Sequence, residues 1–427
     1  MRSIGIHLGE HNIVMACMQQ GEPRVVANRD RLATMPAAVA VGAQGEILVG
    51  RAAQERAQVD PTSAVLDVRR RLASAGVISL GGRAHTAAEV ASLLLRELKD
   101  DAERFLGEPV GAAVLTVPAW CTSDSASALR QAALLAGLSV QQLIPEPVAA
   151  CLAYSSRWDP AGRAIALVYH LTSTMLQVSL LTHGDGAIGI LVHADSAALS
   201  GDAMTNVMLD LLVQVVNRGE QNGAPAEQDA ELMAHLRAAA EESKIHLGKA
   251  SQRTSAPAPP DPDSGFLGEV TADQYEAQIR PLVEHSLVVA RQVIERAGLT
   301  RKDIDWLIPV GAATRTPLVR TALAGLLRPE KLLTGLDPAH CIALGAAVHA
   351  AFLGGEQSQP VWQRRLLAAL ERRIAQLPAP GTEAEVSPSA ALAAEAEAEA
   401  SPPAALASAA ACQCEGCGDA AAGQCVI

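Results

Sequence analysis

The sequence predicts an α/β fold of two similar lobes around a cleft, because a three-stranded meander at residues 3–28 recurs at 163–194 and helical stretches separate the strands. In the first copy Ile4, Ile6 and Leu8 alternate onto one face, a polar turn runs from Gly9 to Asn12, and IVMACM and PRVVAN supply the next two strands. In the second copy RAIALVYHLTSTMLQVSLLTHGDGAIGILVHA reads as strand, short polar turn, strand, Gly-rich turn, strand. Both first turns are approached through the same dipeptide, His7-Leu8 and His170-Leu171.

Between the copies come a helix, AAEVASLLLRELKDDAERFL, a strand, AAVLTVP (112–118), and helices in SDSASALRQAALLAGL and EPVAACLAY. After the second copy NVMLDLLVQVVNRG and EQDAELMAHLRAAAEESKIHL read as helices. Residues 251–265, rich in Pro, Ser and Asp, read as an exposed loop. Helix returns at ADQYEAQIRPLVEHSLVVARQVIERAG, followed by a strand, DWLIPVG, a turn, ATRTP, and helices to about Leu353. The expected domain is 1–355, with lobe I about 1–160 and lobe II about 161–355. Residues 356–378 are expected to form an amphipathic basic helix with Leu366, Leu370, Ile374 and Leu377 on one stripe. Residues 379–427 contain Ala, Glu, Pro and Ser with nothing to bury, and are expected to be a disordered tail.

Composition narrows the function classes. The chain has 427 residues, enough for substantial cores, yet only 2% are aromatic, so those cores rest on Ala, Leu, Val and Ile. A formal net charge of −12 argues against DNA as a partner, since phosphate neutralisation needs clustered Lys and Arg. The opening segment lacks a signal-type apolar stretch and no run approaches the ~18 residues that span a bilayer. The expected location is therefore cytoplasmic. Of eight cysteines, Cys17, Cys121, Cys151 and Cys341 are scattered among apolar neighbours and suggest no disulfide framework. Cys412, Cys414, Cys417 and Cys425 crowd the tail with spacing that four thiolates could use for zinc or copper(I), but no His supports them; they are weak metal candidates.

Four features carry chemistry. Two related hairpins, each offering backbone N–H groups at a turn, are what a clamp around phosphates requires, although either alone is equally a plain turn. The first keeps Gly9; the second places Thr172, Ser173 and Thr174 where glycines would suit a cradle. In VGAATRTP a strand ends at Gly311 and a helix begins near Pro317, so backbone can approach a ligand and Arg315 can stack on it. Glu241 and Lys244, spaced i,i+3, form either an intrahelical ion pair or part of a site.

In this order IGIHLG, LTVPAW, LIPEPVAACLAY, LRAAAEESKIHL, LIPVGAATRTPLVR and DPAHCIALGAAVHAAFLGG resemble the ATPase domain of the 70-kDa heat-shock proteins, collinear over about residues 3–355. The resemblance implies the actin and hexokinase fold, with two duplicated α/β lobes around a nucleotide cleft. It also implies nucleotide-binding residues at Gly9, Glu10, His11, Gly201, Glu241, Lys244, Gly311 and Arg315, and interdomain signalling through Pro118 and Glu146, whose arginine partner matches Ala126. The catalytic positions are degenerate. Where the family has the two carboxylates that organise magnesium, this chain has His7 and His170, and the family's phosphate-directed lysine matches Arg69. Glu10 and His11 replace a Thr pair and place negative charge where phosphates would lie; a family acid near the end is Ala339.

The resemblance is closest to the atypical, ribosome-associated branch that includes heat-shock 70 kDa protein 14. Residues 356–427, low in complexity, are not expected to build the family's client-binding half. What this implies is a chaperone or cochaperone assisting protein folding, with a J-domain partner and another heat-shock chaperone at the ribosome. ATP or ADP is expected to bind weakly, turnover to be poor, and magnesium not to be required. Two alternatives stay open: an active ATP-dependent chaperone ATPase that tolerates the imidazoles, and a sugar-kinase-like phosphotransferase, which needs an acidic base that no residue convincingly supplies.

Overall fold

A computed structural model describes residues 2–73, 76–155, 162–184, 187–197, 199–219, 226–249, 255–257 and 269–355. The expected basic helix at 356–378 and the tail with Cys412, Cys414, Cys417 and Cys425 lie outside the described residues.

In chain order the strands are β1 (Arg2–Leu8), β2 (Asn12–Gln19), β3 (Glu22–Val25), β4 (Met35–Pro36), β5 (Val39–Val41), β6 (Ile47–Val49), β7 (Ala64–Val65), β8 (Ile78–Leu80), β9 (Arg83–His85), β10 (Val110–Val117), β11 (Ser139–Pro145), β12 (Ala164–Leu171), β13 (Leu176–Gly184), β14 (Ala187–Ser196), β15 (Ser255–Pro257), β16 (Glu269–Thr271) and β17 (Trp306–Val310). The helices are α1 (Arg51–Val59), α2 (Val68–Arg71), α3 (Ala87–Leu106), α4 (Ser123–Leu135), α5 (Glu146–Ala153), α6 (Gly201–Gly219), α7 (Ala230–Lys249), α8 (Ala272–Arg296), α9 (Pro317–Leu326) and α10 (Cys341–Gly354).

Two sheets share one arrangement. The first runs β11-β10-β1-β2-β3, with β4 beside β2; the second runs β14-β13-β12-β17. In each, the opening strand has a parallel neighbour on one side (β10 or β17) and an antiparallel one on the other (β2 or β13). The alternation read at β1 is real: Ile4, Ile6 and Leu8 enter one core with Leu94, Leu98 and Leu115. Helix α3 occupies the expected residues because Thr86 and Glu89 form a capping box and Gly107 closes the helix in the left-handed region at φ 72°. Helix α6 begins at Gly201, earlier than the apolar run suggested.

Three features depart from the sequence expectation. Between Val39 and His85 lie two small sheets, β6-β5-β7 and β8-β9, whose strands are too short to show a period. Within the expected loop at 251–265, β15 pairs antiparallel with β16, Ser255 opposite Thr271; Pro257 is tolerated because a two-stranded ribbon leaves edge positions that need no donor. Helix α10, counted with the second lobe, packs on β1 and β2 of the first sheet and on α5: Ala343, Leu344 and Ala347 join Val14 and Ala16.

That packing depends on two glycines. A Cβ on Gly5 of β1 would stand 2.2 Å from the Ala347 nitrogen, and one on Gly345 would stand 1.7 Å from the Ala149 carbonyl oxygen. The backbones therefore approach closer than any side chain permits. Gly345→Ala is expected to destabilise the fold by about 3 kcal/mol through overpacking. Gly325→Ala in α9, where a Cβ meets nothing within 4 Å, should stabilise by about 0.5–1 kcal/mol. Urea midpoints of the two variants against the parent check this; coincident midpoints would show that α10 is not held by close approach.

Candidate functional site

The cleft opens at the carboxyl ends of the parallel strands β1, β10, β12 and β17, where an open α/β sheet places its ligands. A cavity of about 400 Å³ there is lined by His7, Gly9, Glu10, His11, Arg69, His170, Gly201, Glu241, Lys244, Gly311 and Arg315. The structure thus gathers around one space all these residues singled out in the sequence. Pro118 lines a second cavity of about 470 Å³ beyond Glu10 and Arg69. Glu146 lies behind the first cavity and is 1% exposed.

The centre of the site is a carboxylate between two imidazoles and a guanidinium. Glu146, at the first turn of α5, has its Oε1 2.7 Å from Arg69 Nη2 and 3.8 Å from His7 Nδ1; its Oε2 is 3.6 Å from His170 Nδ1. The Arg69 contact is an ion pair without directed hydrogen-bond geometry, and neither Glu146 oxygen has a hydrogen-bond partner. Burial pushes the Glu146 carboxyl up, and Arg69 pulls it back. Burial, and then the charge of Arg69, holds His7 well below the usual imidazole range and His170 down at about 3. Both rings are neutral near pH 7. His7 Nδ1 lies 3.0 Å from the Thr116 hydroxyl, and the two rings meet edge to face at 6.4 Å.

These partners correct two expectations. Arg69 is turned into the sheet toward Glu146 rather than toward a ligand's phosphates, because a buried carboxylate without a cation is far costlier than an exposed guanidinium. Glu146 therefore has a cation, but it comes from α2 and not from the position of Ala126.

The second hairpin bonds within itself and to the start of α6. In the second hairpin Thr172 N–H donates to the Met175 carbonyl at 2.9 Å, and Thr172 Oγ1 accepts from the N–H groups of Thr174 (3.2 Å) and Met175 (3.0 Å). At the start of α6 the N–H groups of Gly201 and Asp202 donate to the carbonyls of Thr172 (2.9 Å) and Ser173 (2.8 Å). On the opposite wall Lys244 Nζ donates to Glu241 (2.6 Å), Thr205 (2.7 Å) and the Gly201 carbonyl (3.2 Å), so the i,i+3 pair is also an α7–α6 brace. Gly311, at φ 93°, sits so close to Leu171 that a Cβ would be 2.1 Å from its carbonyl oxygen. Arg315 donates to both oxygens of Asp337, at 2.5 Å each from Nη2.

Magnesium does not fit this donor set. It requires oxygen ligands in near-octahedral array, whereas the seat holds two neutral imidazoles and a guanidinium already on the only buried carboxylate. Among the described residues no group of three or more His, Cys, Asp or Glu is arranged to hold a metal, and no helix is long and apolar enough to cross a membrane. Sequence reasoning missed Thr116, Asp202, Asp337 and the chain Ser179–His193–Asp195, in which His193 bridges Ser179 (2.8 Å) and Asp195 (2.9 Å). Ser179 is 2% exposed, so that chain braces β13 against β14 and offers no nucleophile. Alternation in β13 and β14 could have placed Ser179 and His193 on one face; nothing local marks the others.

The buried imidazoles set a pH dependence. A histidine whose folded pKa lies below its unfolded value takes up its proton preferentially in the unfolded chain, so stability falls as pH drops below about 6.5. For His170, neutral down to about 3 when folded, the loss between pH 7 and pH 5 is about 2 kcal/mol. Glu146, raised on folding, acts in the opposite sense. His170→Gln should therefore flatten the acid limb of a stability–pH curve measured by urea unfolding; an unchanged slope would show that the ring is charged in the folded protein.

A family model described as Hsp70 protein matches residues 3–75 and 73–362. The matched spans take in both hairpins, the α7 brace and the Gly311–Arg315 turn, and the mixed α/β arrangement fits the actin-like ATPase fold. The chain belongs to the Hsp70 family, and around this cleft it carries that family's chaperone-type nucleotide-binding domain.

Proposed function

We propose that this chain is a cochaperone of the atypical, ribosome-associated kind: a nucleotide-binding domain used for its shape, which assists folding together with a J-domain partner and a second heat-shock chaperone in the cytoplasm. Nucleotide binds weakly at the wall of Gly201, Glu241, Lys244, Gly311 and Arg315, and hydrolysis is poor. The observation that carries this reading is the seat of Glu146, Arg69, His7 and His170. Its carboxylate is paired with Arg69 and both rings are uncharged, so the seat offers no free carboxylate to organise a hydrated divalent ion.

The active-ATPase alternative requires that seat to hold magnesium, against the chemistry of its donors. The phosphotransferase alternative requires a carboxylate base near a phosphate. Glu10 is bonded to Thr174, Asp202 lies 3.7 Å from the His11 ring, and Glu241 is held by Lys244 and Thr205. Asp67, in the adjoining cavity, has its carboxyl lowered: partial burial raises it, but hydrogen bonds from Arg70 and Arg71 prevail, which makes it a weak base.

Phosphate release measured with magnesium, alone and with a J-domain protein, should stay at background in both cases. Isothermal titration with ATP should give the same dissociation constant, within about twofold, with magnesium and with chelator. Stimulated multiple turnover, or binding that disappears on chelation, would overturn the assignment.

A further inference from the structure

A bar built from the chain's own side chains divides the cleft. Glu10, at the tip of the first hairpin, reaches across to the second, where the Thr174 hydroxyl lies 2.9 Å from each carboxylate oxygen and the Thr174 N–H donates to Oε2 at 3.2 Å. A turn that presents a backbone N–H and a hydroxyl to an oxyanion is how loops hold a phosphate oxygen. Here the oxyanion is a carboxylate of the same chain. Several other donors at this point are engaged as described: those of Thr172 and Met175 within the turn, and those of Gly201 and Asp202 at the start of α6.

On one side of the bar lies the 400 Å³ cavity, with Gly311 backbone, the Ile245 side chain and the Arg315 guanidinium as surfaces for a flat ring. There Glu241, with only Oε2 engaged by Thr205 and Lys244, keeps Oε1 for ligand hydroxyls. On the other side lies the 470 Å³ cavity, whose apolar wall includes Leu8, Leu72, Val117, Leu129 and Met175 and whose cations are Arg69 and Arg70. Both arginines are already paired, with Glu146 and Asp67. The cleft thus has room for a nucleoside, but at the point where a terminal phosphate would enter it meets a carboxylate.

We infer that Glu10 is an internal surrogate for the terminal phosphate, and that the ligand of this site is a purine nucleoside or nucleoside monophosphate rather than a nucleoside triphosphate. The inference rests on the nucleotide-cleft reading proposed above and makes it specific. A triphosphate must displace Glu10 from Thr174 or lie against its charge, and like charges brought together at a binding surface cost enough to change affinity by an order of magnitude or more. A nucleoside or monophosphate leaves the bar intact.

Titration calorimetry in chelator, with adenosine, AMP, ADP and ATP against the full chain, tests this. The parent should bind adenosine or AMP roughly tenfold or more tightly than ATP. Glu10→Ala removes the surrogate, and the ratio of the ATP to the adenosine dissociation constant should fall by roughly tenfold or more. Glu10→Gln, which keeps the shape and loses the charge, should fall between the two and serves if the alanine variant does not fold. A parent that binds ATP as tightly as adenosine, or a ratio that neither variant moves, overturns the surrogate while leaving the nucleotide-cleft reading intact. Binding of ATP without adenosine or AMP overturns the surrogate alone, and absence of binding by all four ligands to parent and variants alike overturns that reading and the surrogate with it.

Discussion

The contact on which the cleft depends is the ion pair of Arg69 with Glu146. A carboxylate with no exposed oxygen and no hydrogen-bond partner is tolerable only beside a cation. The pair fixes α2 against the start of α5, whose N-terminal dipole favours the same negative charge. It also sets the state of its neighbours. The guanidinium's field, added to burial, keeps His7 and His170 neutral, and neutral rings can sit 6.4 Å apart in the interior without repelling. One charge balance therefore engages the carboxylate of the seat, draws the Arg69 guanidinium toward the sheet and keeps two imidazoles neutral, which lowers stability in acid.

The hairpins follow the same logic. Phosphate cradles are regions of unsatisfied backbone donors, and a fold that keeps them open holds them at a cost in stability. Here Thr172 closes its own turn, its carbonyl and that of Ser173 receive the first N–H groups of α6, and Glu10 occupies Thr174. The Thr172 hydroxyl and the Glu10 carboxylate thus supply internal partners to N–H groups of the second hairpin. Such a loop is more ordered without ligand, which suits a domain that presents a fixed surface.

Much of this was legible in the sequence, and what was not has a common cause. Alternation in Ile4, Ile6 and Leu8 gave the strand and its buried face, and the collinear motifs gave which residues converge on the cleft, because both are local patterns. Partner choice is not local. That Arg69 meets Glu146, that Glu10 reaches Thr174, 164 residues on, and that Arg315 rests on Asp337 depend on how two sheets face one another. Glu10 was read as a repelling charge, which its type alone conveys, whereas its role as an acceptor bridging the hairpins needs the geometry. The placement of α10 on β1 escaped for a different reason: the helix is buried on all sides, so its sequence carries no polar face to show which sheet it covers.

The surviving matches and the departures do not weigh equally. Lys244, Glu241 and Thr205 are bonded to one another, and Arg315 is held by Asp337. Those residues brace α7 to α6 and the Gly311 turn to the segment before α10, so structure alone is reason enough for them to be there. Retention at these positions is therefore weak evidence for a ligand. His7, His170 and Glu10 are different: each stands where an open cradle or a metal seat would leave a polar group facing the cavity, and each instead acquires a partner inside the protein or has its charge removed. The bracing of the cleft and the pairing of Glu10 and Glu146 share one cause: these polar groups at its floor find their partners inside the protein.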